Sequence, residues 1–305
     1  MTTPVIAPYV QSSAQYTPYI TNEEFLAAPT GVDTSQLIPT GTSMSQDAAL
    51  TQLIARASGH ADKICQKVLA ATIDIEAGEY RIRSDNTLRI PLKYTPLLAV
   101  LGVSVGFTAK TLTPLADLSG IWPGPKAIRV PVPGPALLPP LAFMQYPPAA
   151  ARTGCMFAQV TYVNGWAHST LSAATLAGAQ SIAPVNTAGF VAGLTFTVRD
   201  GADEEQAQVD SGYVYGSATV PLVSPLQYAH TGGTTVSAQP PVIKDAVLDL
   251  CKWLVKSRGS KGVVLGSLKG QPVSAANAKQ QPDIPAGSSD YKNAVAALTP
   301  FRRAR

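Results

Sequence analysis

Charged residues are scarce in this sequence. Only 14% of its 305 residues are Asp, Glu, Lys or Arg, against roughly 25% in a typical soluble domain. The formal net charge is +4, and the one basic cluster along the chain is the terminal "FRRAR". No stretch of the body alternates Lys or Arg with stacking aromatics, which argues against a nucleic-acid-binding protein. So little charge indicates a surface that neighbouring molecules largely cover.

Long apolar runs are also missing. No run of about 18 apolar residues occurs, so the sequence predicts no membrane span. The N-terminal "MTTPVIAPYV" lacks the basic flank and the continuous apolar core of a secretory signal. We therefore expect synthesis and assembly in a cytoplasm. A hydrophobic content of 46% excludes a wholly disordered chain.

Cysteine and histidine are too few and too scattered to predict chemistry. The six residues are Cys65, Cys155, Cys251, His60, His168 and His230. They show no CxxC, HxxxH or HxH spacing, and the chain has neither a G-x-S-x-G elbow nor a phosphate-binding G-x-x-x-x-G-K-[ST] loop. We expect buried cysteines, histidines on helix surfaces and in loops, and a protein that is not an enzyme. No catalytic residue, cofactor or metal is predicted.

Residues 1–42 are rich in Pro and Thr and predict an arm with one short helix. In "TNEEFLAA", Thr21 or Asn22 can cap the helix, and Pro29 ends it. Three tyrosines can anchor this arm, on a neighbouring copy or on the same chain: Tyr9, Tyr16 and Tyr19.

Two segments predict amphipathic helices with one apolar stripe each. The first, "SMSQDAALTQLIARASGHADKICQKVLAA", predicts a helix over about 45–71, with Ser43 and Gln46 at capping-box spacing. The second, "PPVIKDAVLDLCKWLVKSRG", predicts a helix over 241–258. Because a single stripe needs a single partner, we expect the two helices to pack together as the core of one domain.

Between these helices the period changes to that of strands. "TIDIEAGEYRIRSDNTLRIPL" predicts a hairpin around "SDN", and "LAVLGVSVGF" and "CMFAQVTYV" predict further strands. The proline-dense "IWPGPKAIRVPVPGPALLPP" argues against a central strand and favours an extended surface connector over an SH3-type ligand.

Residues 168–238 have the pattern of a small β unit, with short alternating strands between Gly-, Asp- and Ser-rich turns. The run "RDGADEEQAQ" lacks the order of an EF-hand loop and favours a solvated hairpin tip. If residues 168–238 are left out of the sequence, "VTYVNGW" is followed closely by the second helix, which indicates that the β unit is an insertion. Its aromatic residues can line a sugar site or, more simply, fill its core: Phe190, Phe196, Tyr213, Tyr215 and Tyr228.

The sequence therefore predicts an α+β protein in four parts. Two long antiparallel helices with a small β-sheet form a core from residues 43–167 and 239–258. An inserted all-β domain occupies 168–238. Extended arms, 1–42 and 259–305, flank them at the two ends.

The order of these motifs resembles the head-to-tail connector (adaptor) proteins of long-tailed bacteriophages. The resemblance is carried by "YITNEEFLA", "LTQLIARASGHADKICQKVL", "LRIPLKYTPLLAVLGVSV", "VTYVNGW" and "PVIKDAVLDLCKWLVKSRG", in this order. In that family the Tyr- and Gly-containing strand leads within a few residues to the Pro-initiated helix, whereas this chain carries the β unit there. The ending "DYKNAVAALTPFRRAR" is similar to the tails of such proteins in phages of actinobacteria.

The resemblance implies a structural protein of the virion neck. It would form a ring, twelve copies in that family, under the portal protein, pass double-stranded DNA without reading its sequence, and bind a stopper or tail-completion protein. The family's C-terminal segment commonly reaches the portal, which implies portal docking by Tyr291, Val295, Leu298, Phe301, Arg302, Arg303 and Arg305. The alternative function is a receptor- or carbohydrate-binding virion protein that uses the inserted β domain.

Overall fold

The computed structural model describes residues 17–34, 37–38, 44–132, 154–201, 203–257 and 288–303. The helices of these ranges are α1 (Asn22–Ala27), α2 (Gln46–Cys65), α3 (Pro241–Ser257) and α4 (Ser288–Leu298), followed by a 3-10 turn (Thr299–Phe301). The strands are β1 (Thr72–Arg81), β2 (Thr87–Pro91), β3 (Leu97–Gly106), β4 (Thr113–Pro114), β5 (Trp122–Pro123), β6 (Ala127–Pro131), β7 (Cys155–Asn164), β8 (His168–Thr170), β9 (Ser181–Ile182), β10 (Thr195–Asp200), β11 (Asp203–Gln208), β12 (Val220–Pro221) and β13 (Thr235–Ser237). Within these ranges no helix combines the length and the hydrophobicity needed to cross a bilayer.

Helix α1 begins with a complete capping box. The Glu24 backbone N–H donates to Thr21 Oγ1 at 3.1 Å, and the Thr21 N–H donates to Glu24 Oε2 at 2.9 Å. The predicted short helix is confirmed, and of the two caps that the sequence offers, Thr21 and Asn22, the structure uses Thr21.

Helix α2 is shorter than its apolar stripe predicts at both ends. It begins after Ser45, whose Oγ accepts from Ala48 N–H at 3.1 Å, whereas Ser43, the predicted cap, lies outside the described residues. It ends at Cys65 instead of about residue 71, because Gln66 adopts a left-handed conformation (φ 57°). The chain then turns towards β1, and the Leu69 N–H bonds the Asp62 carboxylate at 2.9 Å.

The predicted hairpin around "SDN" is wrong in its pairing. A turn does form there, with Asn86 at φ 54°, but its two strands belong to different sheets. β1 pairs with β7 along its whole length in a four-stranded sheet, β1-β7-β3-β4. β2 pairs with β6 in a three-stranded sheet, β2-β6-β5. The strands separate after one bridge, between Ile82 and Leu88, because each finds a longer partner elsewhere.

Part of the proline-dense segment is a central strand, which corrects the sequence prediction. β6 lies between β2 and β5 and uses the residues "AIRVP". The prolines flank this run or end it at Pro131, so its interior keeps every N–H it needs for the ladder. Ile128 and Val130 point inward and are fully buried. Residues 133–140, the remainder of the predicted connector, lie outside the described residues.

Three hydrophobic clusters organise the molecule. The first joins α2, α3 and α4 with Tyr19, Ile20 and Phe25. The second is drawn from residues 167–236, and the third lies between the four-stranded and three-stranded sheets. The predicted contact between the two long amphipathic helices is confirmed, since α2 and α3 pack together in the first cluster. Their antiparallel orientation stays a prediction.

The first and last residues of the β unit lie next to each other. Its larger sheet has the order β11-β10-β13-β8, and β12 pairs with β9. Its first and last strands are neighbours, with His168 opposite Ser237. The Ala238 N–H donates to the Ala167 carbonyl at 2.8 Å, so the entry and exit of the unit are hydrogen-bonded to each other. The acidic run forms the predicted hairpin, β10 with β11.

Candidate functional site

The C-terminal segment, where the resemblance implies portal docking, folds onto its own chain. Helix α4 packs against α3 and α2, and Ala294 and Leu298 are fully buried in the first cluster. The Leu298 carbonyl accepts a weak bond from Cys65 Sγ at 3.7 Å. The sequence of this segment carries one short helical signal, over Asp290–Leu298, and that helix is confirmed. The segment is anchored on its own chain, however, whereas the sequence predicted an extended arm that needs a partner.

Aromatic contacts attach both ends of the segment. At the start of α4, the Tyr291 ring lies 4.9 Å from the Trp253 ring of α3. After α4, Phe301 meets Trp166 edge to face at 5.4 Å. Contacts of this geometry contribute about 0.5–1.5 kcal/mol beyond the area they bury.

Two cations lie on aromatic rings close to the C-terminal segment. The Arg303 guanidinium lies 4.9 Å from the centre of the Tyr94 ring, and the Arg303 N–H donates to the Cys65 carbonyl at 2.9 Å. The Lys67 ammonium lies 5.3 Å from the Trp166 ring and also donates to the Thr95 carbonyl. Burial lowers the pKa of Lys67. These contacts fix the last described residues to the end of α2.

The structure divides the predicted docking residues into two groups. Leu298 is inside the first cluster, and Phe301 and Arg303 are partly buried in contacts within the chain. Tyr291 (37% exposed), Arg302 and part of Val295 face outward. Arg305 lies outside the described residues. For Leu298 the docking assignment is corrected, because its side chain leaves no surface for a partner.

A second site lies where α1, α3 and the β unit meet. The Glu24 carboxylate, only 7% exposed, bonds the Lys244 ammonium at 2.7 Å and lies 3.6 Å from the Arg199 guanidinium. The three charges come from three different parts of the chain. Since a buried carboxylate without its cations is costly, this network holds the β unit at a defined position on the core.

His168 strengthens the same junction. Its Nε2 lies 2.8 Å from the Pro18 carbonyl and its Nδ1 lies 3.1 Å from Ser237 Oγ. Burial lowers its pKa to about 4, although the Pro18 carbonyl acts in the opposite direction. The ring is therefore neutral at pH 7, with Nε2 as the donor. The sequence placed the histidines on surfaces and in loops, and for His168 this was wrong.

His230 is also buried, and it bonds the Glu205 carboxylate at 2.8 Å. Burial alone would raise the pKa of Glu205, but the N–H groups of Gln227 and Tyr228 and the His230 ring together lower it. The nearest sequence signal was the acidic run, which gave no sign that one of its carboxylates is buried. This pair joins β11 to the segment that contains His230.

The N-terminal arm is anchored on its own chain at Tyr19. The Tyr19 hydroxyl donates to the Asp62 carboxylate at 2.6 Å, and the side chain is fully buried. Burial raises the pKa of Asp62 to about 6 despite this bond. Tyr9 and Tyr16 lie outside the described residues. Of the two anchoring modes the sequence left open, Tyr19 uses the one within the chain.

The thiols are structural. Cys65 and Cys251 are fully buried, as predicted, and burial raises both pKa values, that of Cys65 to about 11. Thiols of this kind remain protonated at neutral pH and are poor nucleophiles. Cys155, the third, is partly buried as the first residue of β7. In the described part of the chain, no group of three or more His, Cys, Asp and Glu side chains could hold a metal ion.

Three of the five aromatic candidates of the β unit, Phe190, Phe196 and Tyr213, belong to its hydrophobic core. Phe190 and Phe196 are buried and meet edge to face at 5.3 Å. Tyr213 is 8% exposed, and the Tyr215 hydroxyl donates to the Ala188 carbonyl at 3.0 Å. Tyr228, at 43% exposed, is the member of the set that faces solvent most.

Comparison with known proteins yields weakly similar solved structures. No protein-family model matches the chain, and no curated protein matches it. A solved structure described as "Virion of native gene transfer agent (GTA) particle" is 14% identical with a TM-score of 0.34, covering 95% of this chain and 95% of that chain. Another, "Neck of empty GTA particle computed with C6 symmetry", is 14% identical with a TM-score of 0.33, covering 94% of each chain. Similarity at this level establishes neither a shared fold nor a shared function.

Proposed function

We propose that the protein is a structural component of a bacteriophage virion, a head-to-tail connector that forms a ring under the portal. It is made in the host cytoplasm and acts in the neck. The ring joins the DNA-filled head to a stopper or tail-completion protein and passes the genome without reading it. The protein performs no catalysis and holds no cofactor in this role.

The observation that carries this proposal is the continuity of the connector-like core across the β unit. In the family that the sequence resembles, the strand that corresponds to "VTYVNGW" leads within a few residues to the Pro-initiated helix. In the structure the 2.8 Å bond between Ala238 and Ala167 brings these two elements back together. The helix then packs on α2, the other helix that carries the resemblance. Chain ends this close are what an insertion into an existing domain needs.

The structure reduces the set of residues that we propose for contact with the portal. A partner can contact Tyr291, Val295 and Arg302 on the outer side of the C-terminal segment. Phe301 and Arg303 position this surface through their contacts with Trp166 and Tyr94. Exposed tyrosine and arginine side chains are common in binding hot spots.

The test is a surface variant, because truncating the segment would also remove part of the core. The double variant Tyr291→Ser/Arg302→Glu changes two exposed side chains and leaves Ala294 and Leu298 in place. The matched control is Tyr228→Ser/Arg56→Glu, which makes the same exchanges at exposed positions of the β unit and α2. We expect the first variant to lose attachment to portal-bearing heads in a co-sedimentation assay and the control to keep it.

A second measurement tests the ring. Native mass spectrometry of the full chain, alone and mixed with portal protein, should give a closed oligomer bound to the portal. If the chain stays monomeric with portal present, or if the unchanged protein does not attach to portal-bearing heads, the connector function is wrong. If both variants attach as well as the unchanged protein, the assignment of portal docking to Tyr291 and Arg302 is wrong. The receptor- or carbohydrate-binding alternative has little structural support, because four of its five aromatic candidates are buried or partly buried.

A further inference from the structure

The outer side of the three-stranded sheet carries a cluster of basic residues around an exposed tryptophan. Arg89 in β2, Arg129 in β6 and Trp122 in β5 form one cross-strand row, since Arg89 is opposite Arg129 and Arg129 is opposite Trp122. Trp122 is 57% exposed. With Lys126 these residues line a depression of about 520 Å³. We name this surface, Arg89, Trp122, Lys126 and Arg129, the basic sheet face.

No ion pair within the described part of the chain compensates the positive charge of the basic sheet face. Like charges directly opposite each other destabilise an antiparallel pair. A large exposed aromatic side chain beside unpaired arginines is the composition of a binding surface. An acidic partner would remove both the repulsion and the exposure.

The same chain carries the complementary charge in a different place. Residues 81–131 contain seven basic and two acidic residues. Residues 168–238, the β unit, contain five acidic residues and one basic residue. The first region therefore has a formal net charge of +5 and the second of −4, within a chain whose net charge is +4.

The exposed carboxylates of the β unit lie at the tip of one hairpin. Asp203 and Glu204 begin β11 beside the turn that joins it to β10, and the Glu204 side chain is 54% exposed. Asp203 forms no ion pair with a described residue, and Glu204 lies 3.5 Å from Arg199, which also faces Glu24. We name Asp203 and Glu204 the acidic hairpin tip.

We infer that the acidic hairpin tip of one copy docks on the basic sheet face of a second copy. The contact joins two different surfaces, so it is heterologous, and repeated around an axis it closes a ring. The inference deepens the proposed function and rests on it for the ring. Trp122 supplies the apolar centre of the contact, while Arg89 and Arg129 pair with the two carboxylates.

A protein partner fits this surface better than DNA does. Three cations neutralise few phosphates, and duplex binding draws most of its affinity from many such contacts. Trp122 is flanked by Pro123 and Pro125, which makes the middle of the surface apolar. Apolar centres with charged rims are typical of protein interfaces.

The experiment is a charge swap in the full-length protein. Variant A is Arg89→Glu/Arg129→Glu, and variant B is Asp203→Lys/Glu204→Lys. The control, Arg56→Glu/Lys63→Glu, reverses two exposed cations on α2. Self-association is measured by sedimentation velocity at low and high salt, with circular dichroism to confirm that each variant is folded.

Variants A and B should each associate about tenfold more weakly or worse, and the control should match the unchanged protein. Mixing A with B should restore association, because the tip of A is unchanged and so is the sheet face of B. A general loss of stability cannot produce this recovery.

The inference is overturned if A and B assemble like the unchanged protein, or if their mixture does not recover. It is also overturned if variant A keeps full self-association but loses binding to a short DNA duplex, which would assign the surface to nucleic acid. These outcomes are separate from a failure of the connector function. The connector function is judged by whether the unchanged protein attaches to portal-bearing heads. The inference about the contact between copies is judged by the self-association of variants A and B.

Discussion

Replacing His168 should change how the stability of the protein depends on pH. His168 joins the N-terminal arm to the β unit through the Pro18 carbonyl and Ser237 Oγ. The variant His168→Gln keeps a side-chain donor but cannot take up a proton. We therefore expect it to remove the part of the pH dependence that this imidazole causes.

The magnitude follows from the lowered pKa of His168, about 4 in the folded protein against 6.5 for the free group. The folded state binds the proton less readily than the unfolded chain does. The stability from the neutral ring is therefore fully present above about pH 6.5 and is lost as pH falls towards 4. Between pH 7 and pH 5 the loss is about 2 kcal/mol, and it approaches about 3 kcal/mol near pH 4.

The assay is urea unfolding of both proteins between pH 7.5 and pH 4. The free energy of unfolding of the unchanged protein should fall more steeply with acidification than that of His168→Gln, by about 2 kcal/mol at pH 5. At pH 7 the variant should be less stable by about 1–2 kcal/mol, because its new hydrogen bonds are poorer. Asp62 has a pH dependence of opposite sign, but it is present in both proteins and cancels in the difference. Parallel profiles would refute the reasoning.

Other predictions follow from the same contacts. Asp62 has its pKa raised to about 6, so its contribution is present at low pH and lost as pH rises through 6. Asp62→Asn should remove a fall of about 2 kcal/mol between pH 4 and pH 7 in urea unfolding. Leu298→Ala should cost about 2–5 kcal/mol because the side chain is fully buried, while Ala296→Ser on the exposed side of α4 should change the unfolding free energy little. Joining Ala167 to Ala238 by a short Gly/Ser linker should leave a protein with the helical circular dichroism of the core and a cooperative unfolding transition; a product without helix would show that the β unit is part of the core.

Helices were the most predictable part of this chain, and their ends were the least. One apolar stripe and a capping residue are local properties, so α1, α2 and α3 could be found from the residues themselves. The end of α2 at Cys65 could not be found in this way. The stripe continues to about residue 71, and the interruption depends on Asp62 bonding Tyr19 and the Leu69 N–H.

Strand pairing was predictable only where the partners are neighbours along the chain. β10 and β11 form the expected hairpin. β1 and β2 have an equally clear local pattern and a turn between them, yet they pair with β7 and β6. The choice between a local and a distant partner depends on which pairing buries more surface.

The sequence alone determined the low charge, the amphipathic helices, the β character of residues 168–238 and the resemblance to the connector family. Each of these depends on short-range patterns or on totals, which tertiary contacts do not alter. The charge distribution is different. Along the sequence Arg89 lies far from Lys126 and Arg129, and the ending alone looks basic. Pairing of β2 with β6 places them on one face, and packing of α4 buries Leu298, which the sequence offered to a partner. Contacts between distant segments create such surfaces, so the folded chain alone reveals them.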